Sequence, residues 1–131
     1  MTDSSPSGPF SRFVFSSSHI KKDGHVMTGA FMPPEREPFE TSVAMLDSRT
    51  DSEIWADGKA ITREGRHLHG RAIADVADAV AAKLAVKRDE TPPNLPHHAN
   101  LVGWASEKEK RLEQAADLAS VSRGETVPPA D

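Results

Sequence analysis

Four histidines stand in two close pairs, His67 and His69 in "GRHLHGRAI" and His97 and His98 in "NLPHHANLVGW". On an extended chain, residues two apart share a face and lie about 6.5 Å from one another. His67, His69 and Arg71 would then form one row. Two imidazoles at that spacing suit a divalent metal ion, zinc first, or acid–base work on a phosphodiester. Arg71 would clamp the phosphate. A further group must cross from another strand, and His98 and His19 are the candidates. His67, His69 and His98 are thus the expected metal ligands, and the same three with Arg71 the expected catalytic set. His97 and His98 face opposite sides of an extended chain, so at most one of them joins. The plainer alternative is a row of surface histidines on a solvated sheet face, with His98 buried at the start of an apolar run.

A second cluster, "SSSHIKK", sets His19, Lys21 and Lys22 beside three hydroxyls. Cations and hydroxyl donors suit a phosphate or another anion. Adjacent Ser18 and His19 point apart, and no G-x-S-x-G elbow is present, so no serine nucleophile is expected. "GRHLHG" lacks the strand–loop–helix order of a dinucleotide site and the lysine of a phosphate-binding loop. No calcium-loop pattern occurs. Asp47, Asp51 and Glu53 bracket a helix start and read as caps.

These residues need elements to hold them. "RFVFS" alternates and carries Phe13 and Phe15, which indicates a strand. Asp23-Gly24 is a turn signal, so residues 12–32 read as a hairpin returning along Val26–Met32. "PPEREPFE" reads as a surface loop, since three prolines remove ladder donors. "TSVAML" reads as a central strand. Thr50 and Glu53 form a capping box for a helix over about 51–61. "RHLHGRAIA" reads as a strand, with Leu68, Gly70 and Ala72 on one side and the His67, His69 and Arg71 row on the other. Asp75 caps a helix over about 76–86, striped by Val76, Val80 and Leu84. "KRDETPPNLP" is a connection and "HANLVGW" a strand. Ser106 and Glu109 form a second capping box, before a helix striped by Leu112, Ala115, Ala116 and Ala119. The order implies an α+β domain: a mixed or mostly antiparallel sheet of about five strands, with about three helices mainly on one face. The expected core is Phe13, Phe15, Val43, Ile54, Val76, Val80, Leu84, Leu101, Leu112 and Ala116. Residues 1–9 and 122–131 read as flexible tails around a single domain over 10–121.

Several of these stretches together resemble a group of small bacterial proteins of unknown function. They are the F-S-x-S-H-x-K-x-D-G pattern at Phe15–Gly24, the segment Ala30–Pro34, Ser42-Val43, Glu53–Trp55 and "HANLVGW" at His98–Trp104. The resemblance covers most of residues 12–120 and implies no activity.

Composition narrows the function classes. The 131 residues carry 16 Lys and Arg against 20 Asp and Glu, a formal net charge of −4. A general nucleic-acid binder would be basic. Nucleic acid is therefore expected only through a local patch, Arg12 with Lys21 and Lys22 or Arg63 with Arg66 and Arg71. Tyrosine is absent, which weakens a base-stacking platform. The chain has no cysteine, excluding disulfides and thiolate chemistry and fitting a reducing cytoplasm. The opening residues lack the pattern of a signal peptide, and apolar runs are too short to span a membrane. No cofactor is expected beyond a possible zinc or other divalent metal.

Two functional expectations follow. The first is a non-enzymatic interaction or accessory protein that binds a partner, another protein for preference, through an exposed sheet face. The second is a small phosphodiester-cleaving enzyme, or an anion- or metal-binding domain, built on His67, His69, His98 and Arg71. Convergence of those four side chains in space separates the two.

Overall fold

Phe10 and Val14 bury on one side of the first strand and Ser11 and Phe13 on the other. A strand buried on both faces belongs inside a sheet. In the computed structural model, which describes residues 6–62 and 65–128, that strand is β1 (Pro9–Val14). It pairs antiparallel with β2 (Thr41–Met45) and β3 (Gly70–Asp75). β5 (His98–Val102) joins β2 and carries β4 (Ala85–Arg88) outside it. β6 (Arg123–Thr126) closes the other edge on β3. The order is β4-β5-β2-β1-β3-β6. The sequence indicates an α+β class with a mixed or mostly antiparallel sheet of about five strands and about three helices; the described residues form an antiparallel sheet of six strands with three α-helices.

One sheet face carries the main core. Phe10, Val14, Val43, Met45, Ala72 and Leu101 pack there against Phe31, Ala79, Ala115 and Leu118. The last three belong to α2 (Val76–Ala81) and α3 (Lys108–Val121), which cover this face. The opposite face is covered by α1 (Asp51–Ala60), whose Ile54 and Trp55 pack on Phe13, Ala44 and Leu68. Two helices therefore share one face and the third shields part of the other.

The caps at α1 and α2 form as the sequence indicates. Thr50 Oγ1 accepts from the Glu53 amide, and Asp75 Oδ1 accepts from the Ala77 amide. At α3 the expected box fails. Its N-cap is Glu107, and the Ala105 and Ser106 carbonyls instead accept from the Arg111 guanidinium.

Several expected elements are corrected. The 12–32 hairpin reduces to a turn at Gly24 and a single bridge, Ile20 to Val26, followed by a short 3-10 helix at Thr28–Ala30. β1 finds its partners elsewhere because both its faces need covering. The helix expected over 76–86 ends at Ala81. Lys83 turns left-handed at φ 65°, and Val86 of β4 then pairs with Leu101 of β5. The expected tails also shorten. Pro9 opens β1, and residues 123–126 form an edge strand, since β3 still has open donors and acceptors on that side. The outermost residues of both expected tails, 1–5 and 129–131, and Arg63 of the expected basic patch lie outside the described residues.

The helix faces differ too. Val80 is 60% exposed and Leu112 41% exposed, and Ala116 is also exposed. In α3 the buried row is Arg111, Ala115, Leu118 and Ala119. Its first member is a cation, which hides the row from any reading of apolar stripes. Leu112→Ala is accordingly expected to change stability by less than about 0.5 kcal/mol, as surface substitutions do. Urea titration of the variant checks the assignment, and a loss above about 2 kcal/mol would place Leu112 in the core.

Candidate functional site: a cleft where two strands part

The expected catalytic set is not brought together. Arg71 lies on the α1 side of β3, and its side chain is 3% exposed. Its Nε and Nη2 donate to Glu125 Oε1 at 3.0 and 2.8 Å, and Nη2 also donates to Asp51. Its guanidinium sits 5.1 Å from the Trp55 ring centroid. Its Nη1 is buried without a partner. The arginine is consumed by structure and offers nothing to a phosphate. His98 lies on β5, three strand spacings away across the sheet, about 14 Å.

The His67, His69 and Arg71 row does not exist as expected. β3 begins only at Gly70, and Leu68 packs with Phe13 and Trp55 on the face that Arg71 occupies. Alternation breaks between Leu68 and Gly70. At Gly70 the backbone already lies tight against β6, where an added Cβ would stand 2.2 Å from the Glu125 carbonyl oxygen. His67 is exposed, and the His69 backbone bridges Val14 and Val127. Among the described residues no group of three His, Asp or Glu side chains could hold a metal ion. The zinc site drawn from His67, His69 and His98 is therefore not assembled.

His97 leaves the histidine pair altogether. It adopts φ 72°, and its Nδ1 meets Asp47 Oδ2 while Arg88 bonds the other carboxylate oxygen. The Arg88 hydrogen bond, ahead of the His97 contact, holds the Asp47 carboxyl below its ordinary value. This is a clip between the β2 end and the β4–β5 pair. The second anion cluster also divides. Lys21 and Lys22 line a groove of about 480 Å³ with Asp51, Trp55 and Glu125, where the carboxylates offset their charge. His19 lies elsewhere, beside Arg12 and Arg66.

That second location is the site the fold builds. β1 and β2 pair only at Phe10–Met45 and Ser11–Ala44. Beyond Ser11 the two strands separate, while β1 continues with β3 to Val14 and β2 with β5 to Thr41. Arg12 enters the opening. Its Nη1 donates to the Ser42 carbonyl at 2.9 Å and its Nε to the Ala30 carbonyl at 3.3 Å. Nη2 makes no hydrogen bond and Arg12 no ion pair among the described residues.

Around Arg12 the opening widens into a cleft of about 500 Å³. Arg36, Arg66, His98 and Asn94 are among its polar lining, and Phe13, Phe15 and Ile61 among its apolar lining. Arg66 lies over the Phe15 ring at 4.1 Å. The lining is mainly positive, with Arg12 half-buried and Arg36 and Arg66 exposed at the mouth. Burial first, then the nearby Arg66 charge, pushes the Arg12 pKa down to about 10. Burial and then Arg12 lower that of His19. Glu40 also lines the cleft but pairs with none of the three arginines. His98 Nε2 lies 3.2 Å from Asn100 Oδ1. Of the expected residues, the cleft therefore gathers His98 and, in its adjoining lobe, His19.

Arg12 and Arg66 stand out in sequence only as basic-patch residues, and Arg36 as a loop residue. The usable signal was the position of Arg12 between Phe10 and Val14, where alternation turns its side chain to the covered face. Fold and cleft together define a small antiparallel α+β domain with an arginine-lined opening between its central strands. No family model, curated protein or solved structure matches the chain. None of the described helices is long and apolar enough to cross a membrane.

Proposed function

We propose that the chain is a non-enzymatic binding domain that recognises an anionic group of its partner in the cleft at Arg12. One observation carries this reading. Arg12, a half-buried cation that shares the cleft with Arg66, has no carboxylate partner among the described residues. The other inward arginines are each matched by an acid, Arg71 by Glu125 and Arg111 by Glu35. A desolvated charge is costly unless it is paired, so an external anion is the natural complement. The phosphodiesterase alternative loses its support, because Arg71 is committed and the histidines are dispersed. A cytoplasmic setting belongs to the same reading, since a cysteine-free chain needs no oxidising compartment.

Sulfate is the first probe, as its charge does not change near neutral pH. Titration of the full chain, followed by backbone amide NMR shifts, is expected to move Arg12, Ser42 and His19 saturably. Arg66→Ala should weaken binding by about tenfold, the loss of one charge-assisted contact. Binding should also strengthen as pH falls below neutrality. The free cleft disfavours the charged His19 ring, and a bound anion restores its proton affinity. Non-saturable shifts, or equal binding by the Arg66 variant, would remove the proposal.

A further inference from the structure

The cleft has two lobes, and we infer that they accept one molecule, a phosphomonoester attached to a planar apolar ring. This rests on the anion-binding reading and adds the chemical class. The lobes share Arg12, Phe13, Phe15 and Arg66. The smaller, about 190 Å³, adds Ser16, His19 and Gly29. The larger, about 500 Å³, adds Ile61, Pro34, Val43 and His98.

The small lobe suits a compact oxyanion with several acceptors. Arg12, Arg66, His19 and Ser16 line it, two guanidinium-bearing residues with an imidazole and a hydroxyl side chain. A carboxylate holds its acceptor lone pairs in one plane, whereas a phosphate directs three terminal oxygens tetrahedrally and can meet donors on residues from several elements at once. Gly29 lets the His19 ring come close: an added Cβ there would stand 2.8 Å from His19 Nε2 and 3.1 Å from Cδ2.

The large lobe suits the body. Phe13, Phe15 and Ile61 offer apolar contact, and a volume of this order matches ordinary small-molecule sites. The Phe15 ring already carries the Arg66 guanidinium on one face. His98, whose Nε2 lies 3.2 Å from Asn100 Oδ1, adds a polar group to this lobe. The bond joining phosphate to body would cross the Arg12–Arg66 boundary that both lobes share.

Calorimetry on the full chain tests this with phenyl phosphate, inorganic phosphate and benzoate. Phenyl phosphate is expected to bind at least about tenfold tighter than either. Adenosine 5′-monophosphate and phosphotyrosine amide then separate a nucleotide source from a phosphorylated side chain, and the tighter of the two names it. Two variants localise the halves. Gly29→Ala should weaken inorganic phosphate and phenyl phosphate alike. Ile61→Ser, at an exposed position, should weaken phenyl phosphate and leave inorganic phosphate unchanged. Thermal unfolding of each variant, expected to match the parent, keeps a folding defect from passing as lost affinity. If phosphate binds but phenyl phosphate binds no better, the two-lobed ligand is wrong and the anion site stands. If benzoate equals phenyl phosphate, the phosphate assignment is wrong. If none of the three binds, both readings fall.

Discussion

Phe10→Ala is expected to lower the free energy of unfolding by about 3–5 kcal/mol, the range for deleting a buried aromatic ring. Phe10 is fully buried on the inner strand and stands opposite Met45 on one side and Ala74 on the other. Both neighbours are themselves buried, so the ring leaves a hole walled by strands on two sides. A backbone held by two ladders collapses poorly into such a hole, which favours the upper part of the range. Urea unfolding with an unchanged slope would attribute the shift in midpoint to stability alone. A loss below about 1 kcal/mol would show that Phe10 is not in the core described above.

That residue also marks what could be read from the chain. A first strand near Phe13 is legible, though it runs over Pro9–Val14 rather than 12–16 and leaves Phe15 outside it, and the two caps at Thr50 and Asp75 follow from their side-chain spacing. Phe10 opens the domain read from sequence but is not in its expected core, because the Ser, Pro, Gly and Asp residues before it carry almost nothing apolar. Strand identity is local, whereas partner choice is not. β1 pairs with strands that lie beyond the nearest turn, and no short-range signal reports this. β6 was missed because "RGET" has no apolar alternation, and it is held mainly by backbone bonds and by Glu125. The histidines were the most visible polar residues, yet only His98 and His19 reach the cleft. The residue at its centre, Arg12, was half hidden, since its role depends on where β1 and β2 cease to pair.

Glu125→Ala is expected to cost about 2–3 kcal/mol. Breaking a fully buried ion pair costs about 3–5 kcal/mol, and the partial exposure of Glu125 lowers that figure. The loss comes from Arg71. Its remaining acid, Asp51, is 81% exposed, and Nη1 already lacks a partner. The variant therefore leaves a cation under Trp55 with little to compensate it. Arg71→Met in the same chain should recover much of the loss, because the buried charge is then gone and the aliphatic chain still packs. Chemical denaturation of the two single variants and the double variant checks this. A double variant as unstable as the sum of the singles would mean that the pair does not interact.

The strand order has a kinetic consequence. Arg71 meets Glu125 across 54 residues of chain, and Arg12 meets Ser42 across 30. Closing loops of that length costs conformational entropy before any contact rewards it. Chains dominated by such distant pairings acquire their native state slowly, in about milliseconds to seconds. In this sheet the β4–β5 pair has the shortest connection of the five ladders. It is the natural place for order to begin, with β2 adding next and β1 joining afterwards. The opening at Arg12 would then be among the last features to take shape.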